Sequence, residues 1–190
     1  MTNQKLSIRI IAFCALAIAI NVVVGRAVSL INIPLLFLDT IGTIFIAANF
    51  GMGWGVITGF LTNVLAAVMG GGAIEIPFSL VSIATAIVVA FVSKGNFTYK
   101  KAIIAGVLLG FIAPAVGTFI RLTLFGGFTG SSTDIMITAL RASGQSIFSS
   151  TFLATVASNM VDKIISCLIV AWISQRTEIK RKIQSLKTHY

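Results

Sequence analysis

Long apolar runs broken by short clusters of Gly, Ser, Thr and Pro organise this chain. A helix that crosses a bilayer needs about 20 mostly apolar residues, and six runs approach that length: 8–28, 37–50, 54–69, 78–93, 102–125 and 150–174. The second is short and begins after Pro34. Gly51-Met52-Gly53 reads as a tight turn, and Gly70-Gly71-Gly72 as a breaker between the third and fourth runs. The longest connection, 126–149, starts rich in Gly, Ser and Thr; its amphipathic stretch near 135–140 predicts a short interfacial helix. Strands of a membrane barrel would alternate apolar and polar residues over segments of about 10. The continuous run 103–116 does not alternate in that way.

Composition strengthens this picture. Apolar residues make up 57% of the chain and charged residues 10%, with a mean hydropathy of +1.02; soluble domains carry about 25% charged residues. The 190 residues accommodate six spans with short loops and would strain to hold seven. The expected fold is an all-α integral membrane protein: a bundle of six transmembrane helices, one domain over 1–190, with a basic tail from about 175.

Charge sets the expected orientation. Lys5, Arg9, Lys94, Lys100, Lys101 and the tail residues Arg176, Lys180, Arg181, Lys182 and Lys187 fall on one side of a six-span chain. Only Arg26, Arg121 and Arg141 fall on the other. Cytoplasmic loops carry the excess of Lys and Arg, so both termini are expected in the cytoplasm, in the plasma membrane of a prokaryote. Lys5 and Arg9 ahead of an apolar run also fit a signal peptide, but five further spans favour an uncleaved first helix. The net charge of +9 is better explained by lipid head groups than by nucleic acid. Cys14 and Cys167 lie inside apolar runs, which argues against a disulfide framework.

Helices in lipid pack through small and polar residues, and three runs show such stripes. The third has Gly55, Thr58, Gly59, Thr62, Asn63 and Ala66; the fifth has Gly106, Gly110, Ala113 and Gly117, leading to Arg121; the sixth has Thr155, Ser158, Asn159, Asp162 and Ser166. Close packing accounts for the glycines and alanines, whereas ionisable groups at membrane depth default to a functional reading. Asp162 is either a polar lock between helices or a ligand or partner-coupling group. Its neighbour Lys163 is expected to snorkel toward the cytoplasmic interface. Asp39 is either an N-cap of the second helix or a ligand group. Glu75 is a solvated loop acid or a lid group. Of Arg121 and Arg141, one can anchor to phosphate head groups and the other bind an anionic or carbonyl-bearing solute, with neither expected to hold a structural partner. Asn21, Asn63 and Asn159 suit a neutral heterocycle. The expected site lies in the extracellular half, around Asn63, Arg121 and Arg141.

No catalytic signature is present: no HExxH, G-x-S-x-G, Walker sequence or CxxC occurs. The single histidine, His189, sits one residue from the C-terminus, which excludes a histidine-based metal or catalytic centre. No metal or cofactor is expected.

The ordered set of features resembles the substrate-binding S components of energy-coupling factor (ECF) vitamin transporters. It comprises Ala15-x-x-x-Ala19, the stretch Pro34-Leu35-Leu36-Phe37-Leu38-Asp39-Thr40-Ile41-Gly42-Thr43, the glycine-rich 51–59 before Leu61-Thr62-Asn63, and the late Val161-Asp162-Lys163. The resemblance covers nearly the whole chain. It implies a six-helix bundle that binds one small nutrient near its extracellular side, for uptake with a transmembrane scaffold subunit and two ATPase subunits. Ala15 and Ala19 would face the scaffold, and the first loop, 26–36, would close over the ligand. Substrates in the family include riboflavin, thiamine, biotin, folate, pantothenate and cobalamin. Two Trp and two Tyr are few for a thiamine-type aromatic cage, and the residues do not name the vitamin. The alternatives are a self-contained small channel or secondary transporter, which would show an inverted repeat, and a membrane enzyme or assembly factor.

Overall fold

The computed structural model describes residues 2–31, 35–94 and 96–187. Among these the chain is helical: α1 (Thr2–Ile31), α2 (Ile41–Phe50), α3 (Met52–Ala66), α4 (Glu75–Ser93), α5 (Tyr99–Phe125), α6 (Thr133–Ala142), α7 (Ile147–Ser174) and α8 (Thr177–Lys187). Five helical stretches are long and apolar enough to cross a membrane, and α2 is a shorter apolar helix. The protein is an all-α, multi-pass membrane protein. The short amphipathic helix expected near 135–140 forms as α6, and part of the basic tail forms the further helix α8.

Two of the boundaries that differ from the apolar pattern have a visible cause. The second helix starts at Ile41 rather than near 37, because residues 37–40 are drawn out of helical geometry toward α7. The third run leaves α-geometry in a π turn, Ala67–Gly71, where Gly70 has φ +102°. That turn lets the chain swing into α4 at Glu75 without a long loop. Pro34 lies outside the described residues.

Small residues set how closely the helices approach. A Cβ added at Gly106 would lie 2.7 Å from Ile164 Cα, and one at Gly110 would lie 2.7 Å from Met160 Sδ. These two glycines bring α5 against α7, and the Thr118–Thr155 hydroxyl contact at 3.0 Å continues the same seam. Gly42 of α2 sits against the backbone of α1 at Ala17. Asn21 fastens that junction: its Nδ2 donates to Thr43 Oγ1 (3.0 Å) and Thr62 Oγ1 (3.1 Å), and its Oδ1 accepts from Gly42 N (2.6 Å). An amide with three hydrogen bonds of this kind joins three helices, which gives Asn21 a structural task at the edge of a cavity it also lines.

The apolar core fills the half of the bundle toward the α2–α3, α4–α5 and α7–α8 connections. Ile44, Ala86, Val89, Leu109, Cys167 and Val170 are fully buried there in one cluster. Asn63, Ser82, Arg121, Thr155 and Asn159 lie in the opposite half and line one cavity there, while Asn49 and Ser174 pair at the core end (3.0 Å). At the core end, Lys101 Nζ donates to the carbonyls of Lys94 (2.6 Å) and Ser93 (3.5 Å), closing the C-terminus of α4.

Candidate functional site

On α7, Thr155, Asn159 and Lys163 recur every four residues, so they share one face and line a cavity of about 220 Å³. Phe78 and Val81 of α4 and Ala113, Pro114 and Gly117 of α5 supply its apolar, low-relief wall. Asn63, Glu75 and Arg121 complete its polar lining. A second cavity of about 430 Å³ shares Phe37, Asp39, Asn63 and Glu75 with the first and extends along α1 past Gly25 and Arg26. Phe37 and Asp39 thus form part of the lining of both.

The two charged groups of α7 hold the segment 35–40. Asp162 Oδ1 accepts from the backbone N–H of Phe37 (2.8 Å) and of Leu38 (2.7 Å). Lys163 Nζ donates to Asp162 Oδ2 (2.6 Å), Thr40 Oγ1 (2.9 Å) and Asp39 Oδ1 (3.4 Å). Three N–H groups thus meet three acceptors, and the Lys163 side chain is only 3% exposed. This corrects the expectation that Lys163 snorkels to the interface: its charge is satisfied inside by two carboxylates, which removes the drive to reach water. Asp39 is likewise not the cap of the second helix. Thr40 precedes α2, no side chain caps it, and the Asp39 carboxylate faces Lys163. Leu35 and Leu38 have φ of +66° and +52°, a left-handed geometry that costs an L-residue roughly 1–2 kcal/mol.

Arg121 also has structural partners, against expectation. Its Nη1 donates to Asp134 Oδ1 (2.8 Å) and its Nη2 to Ser131 Oγ (2.7 Å). Asp134 Oδ2 accepts from the backbone of Thr129 (2.9 Å) and Gly130 (2.6 Å), so the carboxylate shapes the turn ahead of α6 and Arg121 ties it to α5. Arg141 stands apart, exposed in the last turn of α6, and lines neither cavity.

The site's amides keep capacity for a ligand. Asn63 Nδ2 is committed to Gly59 O (3.0 Å) and Ser82 Oγ (2.7 Å), and Asn159 Nδ2 donates to Thr155 O (2.9 Å). Among the described residues neither Oδ1 has a partner. Of the sequence-derived candidates, Asp39, Asn63, Glu75, Arg121, Asn159 and Lys163 therefore meet at one cavity, with Asp162 directly behind it. Ala15 and Ala19 lie elsewhere, exposed on the outer face of α1.

Sequence reasoning misses Phe37, Phe78, Ser131 and Asp134. Phe37 and Phe78 carry no signal that separates them from the chain's other 12 Phe. Asp134 does carry one: an acid at the start of an amphipathic stretch, behind Thr129-Gly130-Ser131-Ser132, is a carboxylate placed for a helix N-terminus.

A cleft with apolar walls and a few convergent polar groups is the form of a small-molecule binding site. Comparison with known proteins fits this form. No curated protein matches the chain. Residues 5–178 match the family model described as ECF-type riboflavin transporter, S component, a family of membrane substrate-binding subunits for vitamin uptake and not a class of enzymes. The match runs from the first turns of α1 into the start of α8, and the chain accordingly belongs to the S components of ECF-type riboflavin transporters.

Proposed function

We propose that this chain binds riboflavin in the joined cavities between α1, α3, α4, α5 and α7, for uptake by an ECF transporter. The observation that carries the reading is the division of the cavity lining. The wall of Ala113, Pro114, Gly117, Phe78 and Val81 suits a planar ring system, while Asn63, Glu75, Asn159 and Lys163 suit carbonyl, imide and hydroxyl groups. The two volumes, about 220 and 430 Å³, reach the several-hundred-Å³ scale of drug-sized ligands.

A binding subunit is favoured over a self-contained channel by what lies below the cavity. Ile44, Val89, Leu109 and Val170 are fully buried across the bundle there, which sets an apolar layer in the way of a solute. Release to the cytoplasm then requires work from outside this chain. A transmembrane scaffold and two ATPase subunits supply it, with six spans and both termini in the cytoplasm. Titration of the purified protein with riboflavin, read by quenching of flavin fluorescence, tests the reading. We expect saturable 1:1 binding at about 1 µM or tighter; absence of binding at that scale overturns it.

The exposed Ala15 and Ala19, one turn apart, leave a shallow groove for a partner helix. Replacing both with Leu is expected to lower recovery of scaffold and ATPase subunits on a tagged chain, with riboflavin binding kept. Full recovery of the complex would remove α1 from the docking surface.

A further inference from the structure

Gly25 lies within α1, where a glycine costs helix stability relative to alanine, and no left-handed φ requires one there. Its surroundings give the reason. A Cβ added at Gly25 would stand 3.0 Å from Asp39 Cβ and 3.3 Å from Asp39 Cα. The bare face of α1 is therefore the seat on which the segment 35–40 rests, opposite its attachment to α7.

We propose that Gly25 is a positioning residue for the binding site: its missing side chain lets Asp39 sit between α1 and α7, and so sets how tightly residues 35–40 cover the cavity. The effect is transmitted through contacts already described. α1 is a continuous helix fastened to α2 and α3 by Asn21, so a methyl group at position 25 displaces the loop more readily than the helix. A shift of a few tenths of an ångström moves Asp39 away from Lys163, a contact that at 3.4 Å is the longest of the three at that ammonium. It also strains the Phe37 and Leu38 N–H bonds to Asp162, which sit at 2.8 and 2.7 Å. Phe37 and Asp39 line both cavities, so loosening them loosens the lining that the two share. The change acts on retention of the ligand, since the residues lower in the cavity stay in place.

The inference rests on the flavin-binding reading for its ligand, and hydrogen exchange without ligand tests it separately. In Gly25→Ala, the amides of Phe37 and Leu38 are expected to exchange about tenfold faster than in the wild type, the effect of weakening one hydrogen bond to a charged group. Riboflavin should leave about tenfold faster, while the midpoint of thermal unfolding stays level or rises because Ala is the better helix former. A double-mutant cycle with Asp39→Gly, which removes the nearer of the two contacts, locates the coupling: in that background Gly25→Ala should add a much smaller increase in the exchange of Phe37 and Leu38. Unchanged exchange in the single variant overturns the proposal. So does an equal effect in both backgrounds, or faster exchange spread along α1 with a lowered unfolding midpoint. A wild type that does not bind riboflavin would sink the function proposed above, yet the exchange measurements would still decide the role of Gly25.

Discussion

The two loops that border the cavity are built on the same device and differ in where its parts come from. In each, one carboxylate accepts two consecutive backbone N–H groups and pairs with a cation. Asp134 takes Thr129 and Gly130 and pairs with Arg121; Asp162 takes Phe37 and Leu38 and pairs with Lys163. The first set is local, with the carboxylate four and five residues beyond the amides it holds. The second is separated by 124 and 125 residues. Backbone geometry follows the same division. Gly126, Gly127 and Gly130 take the positive φ values around the first loop, whereas Leu35 and Leu38 take them in the other. A local loop of this kind keeps its shape on its own and serves as a wall. The distant one holds its shape only while α7 supplies Asp162, so it is the part of the site able to respond to what occupies the cavity.

The largest expected effect tests that dependence. Asp162→Ala leaves the buried Lys163 with the half-exposed Asp39 as its only carboxylate and removes the acceptor of two loop amides. Removing one partner of a buried pair costs about 3–5 kcal/mol, so the unfolding midpoint should fall sharply. The Phe37 and Leu38 amides should lose protection while those of Thr129 and Gly130 keep theirs. Equal loss in both loops would erase the distinction between them.

Arg121→Ala should have a smaller effect. Asp134 keeps both backbone donors, and its side chain, 17% exposed, recovers some hydration. The destabilisation is expected at about 1–2 kcal/mol, below the range for a fully buried pair. The loss follows from the partners that the sequence alone does not lead one to expect of Arg121. Chemical denaturation of the ligand-free protein measures it. A loss as large as that of Asp162→Ala would show that the wall is not self-supporting.

The legibility of these features in the sequence follows the range of the interactions that make them. The long spans are visible because 20 apolar residues have one good solution in lipid, and α6 is visible because its amphipathic period is local. The start of α2 is not. Phe37 and Leu38 continue the apolar pattern, and no pattern reveals a carboxylate 124 residues away that pulls their N–H groups out of a helix. Lys163 is misread for the same reason, since snorkelling is the correct expectation for a lysine whose partners are unknown. Asn63, Asn159, Glu75 and Arg121 stand out as polar groups among apolar ones. Their meeting at one cavity depends on helix packing, which the glycine stripes suggest in kind without fixing in register.

The smallest expected effect concerns the backbone itself and tests whether the two loops share one geometry written in different residues. Where φ is negative, replacing Ala by Gly costs roughly 0.5–1 kcal/mol through the freedom of the unfolded chain. Where φ is positive the order reverses, because a Cβ meets the carbonyl oxygen that follows it. Gly130 has φ +78° with nothing within 4 Å of an added Cβ, so Gly130→Ala isolates the backbone cost, expected at about 1 kcal/mol. At Leu38 the direct change to Gly also removes a half-buried side chain, so the informative comparison is between Leu38→Gly and Leu38→Ala, which lose that burial almost equally. Leu38→Gly should be the more stable of the two by about 1 kcal/mol, the same sign and size as at position 130. Unfolding midpoints of the four proteins, measured in one detergent, decide it. If Leu38→Ala is instead the more stable, the φ of +52° stores no strain, and the left-handed leucines play no part in making residues 35–40 the responsive side of the site.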